Sequence, residues 1–123
     1  MNLQLLLKVN GVVSGINGLS AILMYNMWFN MAGMEVTGPA IALCQSLGVA
    51  AVGLAVISWR TASIAGDALS SLGQLFGIGN VLWFLIVGYH IMTGKAGGAT
   101  GFVNAGIFVI LAVLFFMKSK KSE

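Results

Sequence analysis

Four stretches of the chain stay apolar for roughly 20 residues, the length a helix needs to cross about 30 Å of hydrocarbon. They run from about Val9 to Phe29, from Pro39 to Trp59, from about Leu69 to Met92 and from about Thr100 to Met117. None contains Asp, Glu, Lys or Arg. The pattern predicts an all-α integral membrane protein, a four-transmembrane-helix bundle forming one domain over residues 1–123. Punctuation between the stretches agrees with it. Pro39 suits a first helical turn, where its missing donor costs nothing, and Thr37 stands where a cap belongs. Asp67 is expected to cap the third span in the same way. The run KAGGAT, Lys95 to Thr100, reads as a loop on its glycines. A cleaved leader is not expected, because Lys8 follows the opening Leu run rather than preceding it.

Composition sharpens the class. Hydrophobic residues make up 59% of the 123 positions and charged residues 7%, where a water-facing domain carries about 25% charged residues. The net charge of +3 comes from six basic side chains, four of them near the chain ends. A nucleic-acid binder would need a concentrated basic face, so no nucleic-acid partner is expected. The single Cys44 allows no internal disulfide, and one thiolate is too few for a zinc or iron–sulfur centre. No metal site is expected.

With four spans, both termini and the middle loop lie on one side. That side holds Lys8, Arg60, Lys118, Lys120 and Lys121, and the other holds Lys95 alone. By the positive-inside rule the termini face the cytoplasm, and dual topology is disfavoured. The aromatic residues Trp28, Phe29, Trp59 and Tyr89 fall near span ends, at headgroup level.

The two halves of the chain resemble each other. A shift of 62 positions lays GVVSGI, beginning at Gly11, on GQLFGI, beginning at Gly73, so that Gly11 matches Gly73 and Gly15 matches Gly77. Two parallel helical hairpins would give this pattern, each entering from the same side. Small residues four apart let helix backbones approach closely in lipid. The Gly11/Gly15 and Gly73/Gly77 grooves are therefore expected to cross at the centre of the bundle, joining the first and third spans. Gly48 and Gly53, with Ala51 and Ala55, would let the second span pack closely too.

Candidate chemistry is sparse. The embedded polar residues are Asn10, Ser14 and Asn17 on one stripe of the first span, Gln45 and Ser46 on the second, Gln74 and Asn80 on the third, and Asn104 on the fourth. Interhelical hydrogen bonds of around 0.6 kcal/mol each would account for them. The rival expectation is a polar pocket for a headgroup or small solute, built from Asn17, Gln45, Asn80 and Asn104. Acid–base catalysis and proton-coupled transport need a carboxylate or histidine facing the interior. The acids here are Glu35 in a loop, Asp67 at a helix start and Glu123 at the tail. No catalytic residue is expected, and a drug antiporter with an acid on its first span is disfavoured.

His90 is the chain's only histidine. Beside Tyr89 and close to a span end, it reads first as an interfacial anchor. As a cofactor-binding residue it could ligate haem, with Met24, Met27, Met31 or Met92 as a second axial ligand. It could also hold the magnesium of a chlorophyll, which needs one axial ligand, beside the space left by Gly88.

The segments NGLSAIL in the first span, LCQSLGVAAVGLAVISWR across the second and GFVNAGIFVILAVLFFM in the fourth resemble small four-span bacterial inner-membrane proteins of the DoxX-like group. GLAVISWR, Gly53 to Arg60, is the most characteristic part. The resemblance implies a four-helix fold with cytoplasmic termini and, in some relatives, association with a redox partner; it carries over no catalytic residue. Together these readings predict a non-enzymatic accessory or scaffolding subunit in the lipid bilayer of a bacterial inner membrane, packed against itself or other membrane subunits. A cofactor-dependent subunit using His90 and a small-solute or ion pathway along Asn17, Gln45 and Asn80 are the alternatives.

Overall fold

The computed structural model describes residues 1–95 and 98–120. Its helices are α1 (Leu3–Leu23), α2 (Tyr25–Ala32), α3 (Gly38–Ile64), α4 (Leu69–Met92) and α5 (Gly98–Lys118), with a short 3-10 turn at Gly66–Ala68. Four segments are long and apolar enough to cross a membrane: Leu3–Leu23, Gly38–Ile64, Gly66–Met92 and Gly101–Lys118. The protein is an all-α four-helix bundle of the kind that spans a bilayer.

The first span lies six residues earlier in the chain than its polarity pattern suggested. Asn2 caps it, its side chain accepting from the Leu5 amide at 2.8 Å. Lys8 does not interrupt the helix, because its stem lies along the surface and its ammonium rests 5.4 Å from the centre of the Trp59 ring. At the other end the helix stops at Met24 (φ −124, ψ 37), and α2 continues in a new direction to Gly33, whose φ of 68 closes it in the left-handed conformation that glycine tolerates. The last carbonyls of α1 would be unpaired in lipid. Side chains of α3 meet two of them: Gln45 Nε2 donates to Ile22 O at 3.2 Å and Cys44 Sγ to Ala21 O at 3.5 Å.

Thr37 caps α3, accepting from the Ala40 amide at 3.3 Å, with Pro39 in the first turn. Asp67 does not cap α4. It lies within the 3-10 turn, and α4 starts after Ala68 with no side-chain cap. The loop residues Ala96 and Gly97, like Lys121, lie outside the described residues.

The helices pair as two hairpins, α1 with α3 and α4 with α5. The expected central crossing of the first and third spans is not what forms. Gly11 and Gly15 face α3: a Cβ on Gly11 would stand 3.0 Å from Ala55 O, and one on Gly15 3.6 Å from Ala55 Cβ. Gly77 faces Phe115 and Phe116 of α5, and Gly73 faces Leu3 and Ser119. Gly11, Gly15 and Gly77 are thus used within their own hairpins, against the helix running back alongside, and Gly73 alone of the four meets the other hairpin, through the Leu3 side chain. The tightest approach between α1 and α3 lies at Gly18 and Gly48, where a Cβ on either would come within 2.7 Å of the other's carbonyl oxygen. Gly53 has nothing within 4 Å and contributes no packing groove.

The two hairpins join at the end that holds the termini. There Leu3, Leu6, Leu7, Ala62, Leu111 and Phe115 form the buried cluster, with Leu6, Leu7 and Phe115 at 0% exposure. Phe76 stacks on Phe115 with ring centres 5.9 Å apart. Beside that cluster a space opens between α3 and α4.

Candidate functional site

That space is a cleft of about 520 Å³ reached by all five helices. Its floor is a hydrogen-bonded relay that ties three of them together. Ser58 Oγ on α3 donates to Leu7 O at 2.6 Å, Asn10 Nδ2 donates to Ser58 Oγ at 3.1 Å, and Asn80 Nδ2 on α4 donates to Asn10 Oδ1 at 3.2 Å. Asn80 Nδ2 also donates to Phe76 O at 2.9 Å. All three side chains are buried. Polar groups placed this deep in hydrocarbon must find partners inside the protein, and here they do.

Above the relay, Ser14 and Asn17 of α1 and Asn104 of α5 line the cleft. They are half-buried and, among the described residues, their side-chain polar atoms bond to no protein group. The walls are apolar: Leu47, Leu54 and Ile57 from α3, Leu72 and Leu75 from α4, with Trp28, Trp83 and Phe108 above. Trp83 and Phe108 stack across the second hairpin, ring centres 5.9 Å apart. Trp28 on α2 reaches back over α1, its Nε1 donating to Ser20 Oγ at 2.8 Å, while Ser20 Oγ donates to Asn17 O at 3.0 Å. The break at Met24 is what lets α2 turn that indole over the cleft. Among the described residues, no Asp, Glu, Lys, Arg or His lines it.

Of the four residues expected to form a polar pocket, the structure brings Asn17, Asn80 and Asn104 to one cleft and leaves Gln45 out. Gln45 is engaged with the end of α1, and Asn80 spends its amide protons on Asn10 of the relay and on Phe76 O. Asn10 and Ser14 join the site instead. Their place was legible in the stripe they share with Asn17, since spacings of four and three put them on one helix face. Ser58 carries no such signal: a lone serine before Trp59 in an apolar run has nothing in its neighbours to distinguish it.

His90 sits apart from the cleft. It lies in the last turn of α4, half-buried, its ring tilted 56° against Tyr89 with centres 6.0 Å apart. The Lys95 ammonium lies 5.0 Å from the centre of the Tyr89 ring, so the three residues form a surface cluster where the helix ends. Gly88 has open space around it. Among the described residues no group of three or more His, Cys, Asp or Glu side chains comes together as a metal site would need.

Comparison with known proteins finds no family model that matches the chain, and no curated protein or solved structure that is significantly similar to it.

Proposed function

We propose that this is a multi-pass protein of a bacterial inner membrane, its termini in the cytoplasm, that holds a small uncharged molecule in the cleft between its two hairpins. One observation carries the reading: amide and hydroxyl groups from α1, α4 and α5 converge on a single space, and three of them have unspent hydrogen bonds. In hydrocarbon, such groups are satisfied only by water or a ligand. The cleft suits binding better than conduction, because the packed Leu6, Leu7 and Phe115 cluster closes the end nearest the termini. That favours a receptor or carrier over the ion pathway.

Native mass spectrometry after extraction into nanodiscs tests it. The wild type should carry a small non-covalent adduct that Ala51→Phe, which fills the cleft wall, lacks. A wild-type spectrum with no adduct, or an adduct unchanged by Ala51→Phe, refutes the reading.

The accessory-subunit reading keeps one specific support. The open side of the cleft leaves Leu47 and Ile57 of α3 and Leu75 of α4 more than half exposed, and a neighbouring subunit would cover them. The same spectra report it, as a dimer or larger complex in place of the 12.8 kDa monomer. A cofactor role for His90 draws no support from the cleft, which His90 does not line.

A further inference from the structure

Depth along the helices says more about what the cleft would take. At about 1.5 Å per residue, Asn17 lies about 9 Å before the end of α1 at Leu23, and Asn104 about 9 Å after the start of α5 at Gly98. The two unspent amides stand at one level, because Asn10 pairs with Asn80 and Trp83 with Phe108: Asn17, seven residues on from Asn10, and Asn104, four residues before Phe108, both fall level with about Val87 of α4. Gly18 packs against Gly48, so Leu54 lies only about 8 Å deeper than Asn17, and Asn10 of the relay, seven residues before Asn17, about 10 Å deeper. The apolar lining thus continues from the amide level to the relay, about 10 Å on, and past it to Leu75, about 18 Å from the amides. It is open sideways between α3 and α4, where Leu75 is 60% exposed.

Resting on the small-molecule reading, we propose that the occupant is a single-chain, uncharged amphiphile that enters from the bilayer. Its hydroxyl, carbonyl or amide head meets Asn17 and Asn104, and its chain lies along Leu54, Leu72 and Leu75. Three features carry this. The amides offer both donors and acceptors but no charge, and a charged head would be buried without a counter-ion. The unpartnered groups gather at one end of that lining, as one head and one tail require. A transmembrane helix about 10 Å across is too wide for a space of about 520 Å³, whereas drug-sized ligands occupy about 300–1,000 Å³.

Tryptophan quenching tests the proposal. Trp28 and Trp83 line the cleft and Trp59 does not, so Trp59→Phe leaves two reporters, both in the site. This variant in nanodiscs is titrated with brominated stearyl alcohol and, separately, with brominated stearyl trimethylammonium. The alcohol should quench with saturation at low mole fraction. The ammonium should give only the unsaturable quenching of any lipid-facing ring. Adding Asn17→Leu and Asn104→Leu should weaken the saturable phase about tenfold. Linear quenching by the alcohol, equal saturation by the ammonium, or an unchanged saturable phase in the double variant overturns the proposal. Should that double variant fail to fold, the alcohol–ammonium contrast still decides. An adduct lost in Ala51→Phe together with linear alcohol quenching would keep the small-molecule reading and reject the amphiphile; no adduct together with linear quenching would remove the two together.

Discussion

Gly18→Ala is the sharpest test of how the first hairpin is held. The added methyl would stand 2.6 Å from Gly48 O, 2.8 Å from Val52 Cγ2 and 2.9 Å from Val52 N. A comfortable carbon–oxygen approach is about 3.3 Å, so α1 and α3 must separate by roughly 0.7 Å at their closest point. Two of the three obstructing atoms are backbone, so no rotamer change relieves the clash. Overpacking of this kind costs about 1–3 kcal/mol, and the gain in helix propensity from Gly to Ala returns at most about 1 kcal/mol. The expected net loss is about 1 kcal/mol. Gly53→Ala on α3 meets nothing within 4 Å and keeps the propensity gain alone, so it should be neutral or stabilising. Gly15→Ala, with its methyl 3.6 Å from Ala55 Cβ, should be tolerated. Reversible unfolding in mixed detergent micelles, followed by circular dichroism, measures all three. If Gly18→Ala proves as stable as Gly53→Ala, the close Gly18–Gly48 contact does not hold the hairpin and the reasoning fails.

In the same unfolding assay, a double-mutant cycle on Asn10→Ala and Asn80→Ala should give a coupling of about 0.6–1.7 kcal/mol for the buried amide pair; zero coupling would remove the relay as a tie between the hairpins. Phe115→Ala empties the most tightly closed part of the core and should cost about 3 kcal/mol or more, with a loss under about 1 kcal/mol counting against the closed end. His90→Gln should change stability by less than about 0.5 kcal/mol. A visible absorption band in the purified wild type that disappears in His90→Gln would instead make the histidine a pigment ligand. For topology, an impermeant maleimide applied to intact cells should label Met34→Cys but not Ser63→Cys, both exposed and on opposite faces, in a Cys44→Ser background. The reverse pattern overturns the orientation.

The long apolar runs were sufficient to determine the class and number of spans, because a backbone in hydrocarbon must satisfy its own hydrogen bonds and the helix is the local way to do so. Thr37 and Pro39 marked their helix start for the same local reason. Where one polarity rule met another, the pattern misled: Lys8 looked like a boundary, yet its flexible stem carries the ammonium to the Trp59 ring while the helix runs on through it from Leu3. The stop at Met24 has no glycine or proline to announce it, and depends on Cys44 and Gln45 arriving from α3 to take the freed carbonyls. Partner choice was likewise beyond local reading. Gly11, Gly15, Gly73 and Gly77 each say only that there is room for a close approach, and which helix makes it is settled by what opposes them: Ala55 and Trp59 for the first groove, Leu3, Ser119, Phe115 and Phe116 for the second. The amide stripe Asn10, Ser14 and Asn17 was visible as one face. That Asn104 would join it, that Asn80 would be consumed by Asn10, and that Gln45 would turn away are facts of tertiary contact, because an amide's role depends on which donors and acceptors the fold brings within about 3 Å of it.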